Sequence, residues 1–210
     1  MTFDVFLALT LFGFITAFTP GPNNTLLMAQ GIDFGFLRTL PLIFGVAIGF
    51  PFMIGCVGLG LGRIFDIYPV VYTIMKYAGA AYMLWLAWKI ANSKPAGEGD
   101  TAVGQPLSFF QSAAFQWINP KAWMMAVTAL SAYTVATQYY VGVAFVVGTF
   151  VVMGIGSAST WAMFGVGLRH VLNDPRYFRV INMALALLLA ASLVPMQGNE
   201  SKLTTEFSED

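Results

Sequence analysis

The chain has 210 residues, of which 58% are apolar and only 10% charged, with ten Lys and Arg against ten Asp and Glu. An ordinary soluble domain carries roughly 25% charged residues, so this composition argues against a water-covered globule, a nucleic-acid binder and a disordered chain. With a net charge of zero and a mean hydropathy of +0.72, the information lies in where the charges sit.

A bilayer core needs about 20 apolar residues of helix to cross it. Residues 5–32 and 39–62 carry no charge, residues 67–88 contain only Lys76, and residues 107–132 contain only Lys121. Residues 122–168 are again uncharged, but Thr134, Thr137, Gln138, Tyr139 and Tyr140 mark a turn within them. The last run is 180–197. The pattern predicts an all-α integral membrane protein with six helical spans at 3–31, 38–62, 67–91, 107–132, 139–167 and 178–196.

The first span begins with Asp4 and no Lys or Arg, and its apolar run exceeds that of a signal peptide, so it is expected to remain in the mature chain. Residues 92–106, rich in Gly, Pro, Ser and charge, read as an exposed linker. The chain thus divides into a three-helix unit at 1–91, the linker, a second unit at 107–197, and a polar, disordered tail at 198–210 bearing Glu200, Glu206, Glu209 and Asp210.

The loops after the first, third and fifth spans hold Arg38, Lys89, Lys94, Arg169, Arg176 and Arg179, against Arg63 and Lys202 on the other side. Positive charge concentrates in cytoplasmic loops, which places both termini outside the cytoplasm.

The two units carry comparable interruptions. Thr19-Pro20-Gly21-Pro22-Asn23-Asn24 breaks the first span, and Gln116-Trp117-Ile118-Asn119-Pro120-Lys121 breaks the fourth, with Pro20 and Pro120 a hundred residues apart. Three spans per unit make the second copy enter from the opposite face, so the repeat is inverted. Each proline removes an amide donor and clashes with a preceding carbonyl. The freed carbonyls need protein or a wet cavity around them, where Asn23 and Asn24 offer donors and acceptors. The half-helix starting near Pro22 then presents its positive end and free amides, which suits a carboxylate. A plain proline kink that only shapes packing is the competing reading.

Lys121 is a cation deep in a span, which costs at least about 2.5–3.5 kcal/mol unless it is paired or hydrated. It is either a counter-charge for a substrate carboxylate or a lysine bonded to carbonyls freed around Pro120. Lys76 can snorkel to a surface, and Asp4, Asp33 and Asp66 fall at span ends. Gly45, Gly49, Gly58 and Gly62, with Gly142, Gly148, Gly154, Gly156, Gly165 and Gly167, are placed for close helix approach, for sliding or for a dimer face. Trp85, Trp88, Trp117 and Trp161 with Tyr68, Tyr139 and Tyr140 read as interfacial anchors. Cys56 has no partner for a disulfide, and His170 has no second His or Cys for a metal site, so no metal, cofactor or catalytic residue is expected.

Phe18-Thr19-Pro20-Gly21-Pro22-Asn23, the run Lys76-Tyr77-Ala78-Gly79-Ala80-Ala81-Tyr82-Met83-Leu84-Trp85-Leu86-Ala87-Trp88, and Asn119-Pro120-Lys121-Ala122 together resemble the LysE/RhtB family of amino-acid exporters. The resemblance covers nearly the whole chain up to Pro195. It implies a bacterial inner-membrane secondary transporter that expels amino acids or close derivatives on the proton motive force and can pair as a homodimer. Carried over, Pro20, Gly21, Pro22 and Asn23 form the first broken helix, and Asn119, Pro120 and Lys121 the second. The chain departs from the family at Gly49-Phe50-Pro51-Phe52, where many relatives place an acidic residue.

The expected substrate-binding residues are Asn23, Asn24, Asn119 and Lys121, with an amino acid as cargo and protons as coupling ion. Few inward carboxylates argue against export of an inorganic cation. The single Cys excludes a thiol–disulfide carrier, and the lone edge histidine argues against a membrane hydrolase. A non-transporting scaffold stays open at this stage. A reporter that is active only outside the cytoplasm, fused after Asp210, should be active in cells; activity only of a cytoplasmic reporter would invert the topology.

Overall fold

The computed structural model describes residues 2–61, 67, 69–92, 105–171 and 175–191. Arg63, Asp66, Tyr68, Lys94, Lys202, nearly all of the expected linker and the C-terminal tail lie outside the described residues, as do the side chains of Lys76, Arg169, His170 and Arg176. Among the described residues there is no strand. Eight α-helices account for most of them: α1 (Phe3–Phe18), α2 (Pro22–Phe34), α3 (Phe36–Cys56), α4 (Pro69–Ala91), α5 (Phe109–Ile118), α6 (Pro120–Tyr133), α7 (Tyr139–Val171) and α8 (Pro175–Ala191).

Local chemistry sets their ends. Thr2 caps α1 through its hydroxyl, and Asp4 lies in the first turn, where the helix dipole favours an anion. Pro20 cannot donate to the ladder, so α1 stops at Phe18. Pro22 is compatible with a first helical position, and α2 restarts there with a bend of 52° between the two helices. A single residue, Gly35, joins α2 to α3; its φ of 76° lies in the left-handed region that glycine enters without strain. Ser108 and Gln111 form a reciprocal capping box that opens α5. Asn119 caps α6, again with a proline at the first position. Beyond α3 the chain continues as a π-helical turn, Val57–Leu61.

Hydroxyls within these apolar helices bond to their own backbone. Thr10 donates to the Phe6 carbonyl at 2.8 Å, Thr16 to Phe12 at 2.7 Å and Thr160 to Gly156 at 2.8 Å. Such back-bonding lets a polar side chain sit in a lipid-facing helix without an unpaired group.

α7 is the central post, packing against α1, α2 and α3, while α3 also holds α5 and α4 pairs with α8. The closest approach is between α2 and α7. A Cβ on Gly31 would strike the Ala162 carbonyl, and one on Gly165 would strike the Met28 carbonyl, so each glycine admits the backbone of the other helix. On α3, Gly45 and Gly49 admit Ser112 and Ala113 of α5 in the same way. Gly148 and Gly167 have no neighbour within 4 Å of where a Cβ would stand, so they are not part of these seams.

Two buried apolar clusters result. One joins α2, α3, α4, α5, α7 and α8 around Leu27, Ile43, Met83, Phe115 and Leu189. The other joins α1, α3, α6 and α7 around Leu9, Met53, Ala126 and Phe150. The outer faces are apolar too, with Phe52 64% and Val152 66% exposed, a distribution suited to lipid.

Among the described residues, two helical stretches are long and apolar enough to cross a membrane, Phe36–Leu61 and Ala136–Leu168, and the bent pair α1 and α2 makes a third if it is one span. The expected fourth span is two short helices of 10 and 14 residues. The expected sixth is described only to Ala191, over 17 residues. Helix limits otherwise fall within a few residues of the expected spans.

Gly165→Val should destabilise the protein by at least roughly 1–3 kcal/mol, because the backbone it meets cannot turn aside. Gly148→Ala should leave stability unchanged. Thermal unfolding in detergent compares the two; equal behaviour would remove the α2–α7 seam from the account.

Candidate functional site

Wherever a proline interrupts a helix, the carbonyls one turn earlier lose their amide partners. At the first break Gly21, Pro22 and Asn23 no longer donate back to Ala17, Phe18 and Thr19. The Ala17 carbonyl instead accepts from Asn24 Nδ2 at 2.9 Å and from Ser157 Oγ of α7 at 2.7 Å. The Thr19 carbonyl accepts from Asn24 Nδ2 at 2.8 Å and from the Lys121 ammonium. The Pro20 carbonyl lies 3.4 Å from the same ammonium.

The second break is tighter, with Asn119 as the only residue between α5 and α6. The Asn119 amide donates to the Gln116 carbonyl at 3.3 Å, and its side-chain oxygen accepts from the Lys121 backbone N–H at 3.1 Å. The Trp117 carbonyl accepts from Trp123 Nε1 at 2.7 Å. The Trp117 side chain is half-buried beside the break and meets the Trp123 ring edge to face.

The two breaks are joined directly. Asn23 Nδ2 donates to Gln116 Oε1 at 2.9 Å while Gln116 Nε2 donates to Asn23 Oδ1 at 3.1 Å. Gln116 Nε2 also donates to the Ser112 carbonyl at 2.9 Å, and Gln116 is fully buried. Lys121 forms the second link. Its ammonium reaches across to Thr19 and Pro20 rather than back to carbonyls around Pro120, whose neighbour Trp117 is already served by an indole N–H.

Asn23, Asn24, Asn119 and Lys121 line one cavity of about 50 Å³ with Gly21, Ser157 and the apolar Leu27, Val46, Phe50 and Phe150. Room of that size admits several water molecules at about 10–15 Å³ each. The cavity lies between the two apolar clusters, since Leu27, Val46 and Ala158 belong to one and Phe50, Ala122 and Phe150 to the other. Pro20 and Pro120 are not among its lining residues; Pro120 heads α6 and Pro20 lies exposed at the break. The first turn of α2, capped by no side chain, borders the same space at Gly21, Asn23 and Asn24.

Two contributors escape a sequence reading. Gln116 stands in the quoted break motif, but its partner is 93 residues away, and nothing local signals the pairing. Ser157 is one of several hydroxyl residues in a long apolar helix, with Thr149, Ser159 and Thr160, where bonding to the helix's own backbone is the default expectation.

Comparison with known proteins bears on this geometry. The family model described as LysE type translocator matches residues 14–192. A cysteine/O-acetylserine efflux protein of Escherichia coli (strain K12) is 35% identical over 192 residues, covering 90% of this chain and 95% of that one. A protein of the same name from Shigella flexneri serotype 5b (strain 8401) is 35% identical over 178 residues, covering 83% and 88%. No solved structure matches the chain.

The amide pair can be tested by a double-variant cycle. Asn23→Leu and Gln116→Leu should each destabilise by about 1–3 kcal/mol, because each leaves the partner amide, buried at Gln116 and half-buried at Asn23, without that bond. The double variant should cost less than the two together. Additive losses of thermal stability would show that the pair is not coupled.

Proposed function

The chain belongs to the LysE type translocator family, and from that premise we propose that it exports small amino acids or amino-acid-like metabolites across the bacterial inner membrane. The observation that carries this reading is the small cavity beside the two broken helices, in which Asn23, Asn24, Asn119 and Lys121 stand among apolar side chains. Polar backbone at membrane depth is tolerated where it is buried or lines a cavity, and discontinuous helices in matching positions build midplane sites in secondary transporters. The names of the relatives make cysteine and O-acetylserine the first solutes to try.

In this reading the six expected spans form two inverted units, 1–91 and 107–197, with both termini periplasmic. The substrate carboxylate is held by Lys121 and by the amides of the first turn of α2, where the helix dipole is positive. Asn23, Asn24 and Asn119 keep the two breaks in shape around it and face the same space. One unit rocks against the other to alternate access, and the proton gradient drives the cycle. The Lys121 contact to Thr19 and Pro20 joins the units, so rocking must stretch or exchange it. Among the residues lining the cavity Lys121 alone is charged, which disfavours an inorganic cation as cargo.

The test is transport by the purified full chain in liposomes. Labelled cysteine or O-acetylserine placed on the alkaline side of an imposed pH gradient should cross, and a protonophore should remove the acceleration. Lys121→Gln should slow transport about tenfold or more with insertion unaltered, as expected when a charge-assisted bond to substrate is lost. Failure of both solutes and of a broader amino-acid panel to move would end the export reading.

A further inference from the structure

We propose that the carbonyl oxygens of Thr19 and Pro20 form a subsite for the α-ammonium group of the substrate, and that Lys121 occupies it as a tethered stand-in between transport events. The inference rests on the reading of the chain as an amino-acid exporter, and it adds how the amine end is recognised and what the resting site contains.

The geometry is that of a seated alkylammonium. Lys121 Nζ donates to the Thr19 carbonyl and approaches the Pro20 carbonyl at 3.4 Å. Both oxygens follow the last turn of α1, where the helix dipole is negative and a cation is stabilised. Thr19 is extended, with ψ of 134°, so its carbonyl has left the helical ladder and is aimed elsewhere. Thr19 and Pro20 are exposed, so their carbonyls are not shut inside the packed interior.

Gly21 supplies the space. Its φ of 179° is extended backbone open to any residue, so glycine is not needed there for conformation. A Cβ on it would stand 2.7 Å from Lys121 Cδ and 3.1 Å from Nζ. The missing side chain thus leaves room for the aliphatic amine of Lys121 against the Gly21 backbone, at the cavity that both residues line.

Charge balance then selects the substrate class. In the resting site one cation sits on two carbonyls. When a zwitterionic amino acid enters, its ammonium takes the carbonyls and its carboxylate takes the displaced Lys121, so the site keeps the same net charge and every polar group keeps a partner. A carboxylate without an amine would draw Lys121 off and leave the carbonyls bare. An amine without a carboxylate would put a second cation beside Lys121. Both cost free energy in a site of low dielectric.

The test uses the full chain in detergent and in liposomes. Lys121→Ala removes a segment whose chemistry is that of propylammonium. Propylammonium chloride should raise the melting temperature of Lys121→Ala by several degrees while leaving the unaltered protein unmoved. Tetramethylammonium chloride at matched ionic strength, with no N–H to donate, should do neither. An equal response of both proteins, or none in the variant, overturns the subsite. If Lys121→Ala cannot be purified, competition on the unaltered protein decides. O-Acetylserine transport should be inhibited by free amino acids at least about tenfold better than by their N-acetyl or deaminated analogues, one lost bond to a charged group being worth roughly that factor. Equal inhibition by the N-acetyl compounds overturns the proposal. If no solute crosses, the export reading fails, while the melting-temperature comparison still decides the ammonium subsite.

Discussion

A peptide carbonyl with no hydrogen-bond partner costs several kcal/mol in hydrocarbon, and this chain frees such carbonyls where prolines break its helices, at Pro20 and Pro22 and at Pro120, while Pro41 and Pro51 lie within α3 without ending it. The answer at each break is specific. Ala17 is served by Asn24 and Ser157, Thr19 by Asn24 and Lys121, and Trp117 by the Trp123 indole. Asn24, Asn119 and Ser157 gather where those carbonyls lie and line the cavity there, while buried Gln30 and Thr39 serve the backbone at Leu107 and Gly35.

The division of the interior into two apolar clusters follows from the same constraint. Leucine and phenylalanine side chains cannot satisfy a carbonyl, so they pack into two clusters that meet at the cavity beside the breaks. Helix association in lipid relies on close packing and internal hydrogen bonds rather than on escape from water. The glycines facing α7 from α2 and facing α5 from α3 supply the first, and the side chains around the breaks supply the second.

Much of this was legible in the chain itself. Prolines are local determinants, so Pro20, Pro22 and Pro120 announce their breaks, and charge-free runs locate the helices to within a few residues. Asn24 and Asn119 were readable as polar residues in need of partners. What could not be read was long-range pairing. Gln116 meets Asn23 across 93 residues, and Lys121 meets Thr19 across 102, because the packing of α3, α5 and α7 brings the breaks together. Gly31 stands four residues before Gly35, but Gly35 ends α2, and the backbone that Gly31 admits, at Ala162 and Gly165, lies on another helix.

The reciprocal amide pair of Asn23 and Gln116 has a mechanical meaning. Two antiparallel hydrogen bonds between planar amides have one register, and hydrogen bonds weaken steeply once their angles fall much below 120°. A small rotation of one break against the other misaligns both bonds together, so no intermediate setting retains half of the attraction. The junction between the two halves of the chain therefore behaves as a detent, favouring discrete positions over a continuous glide.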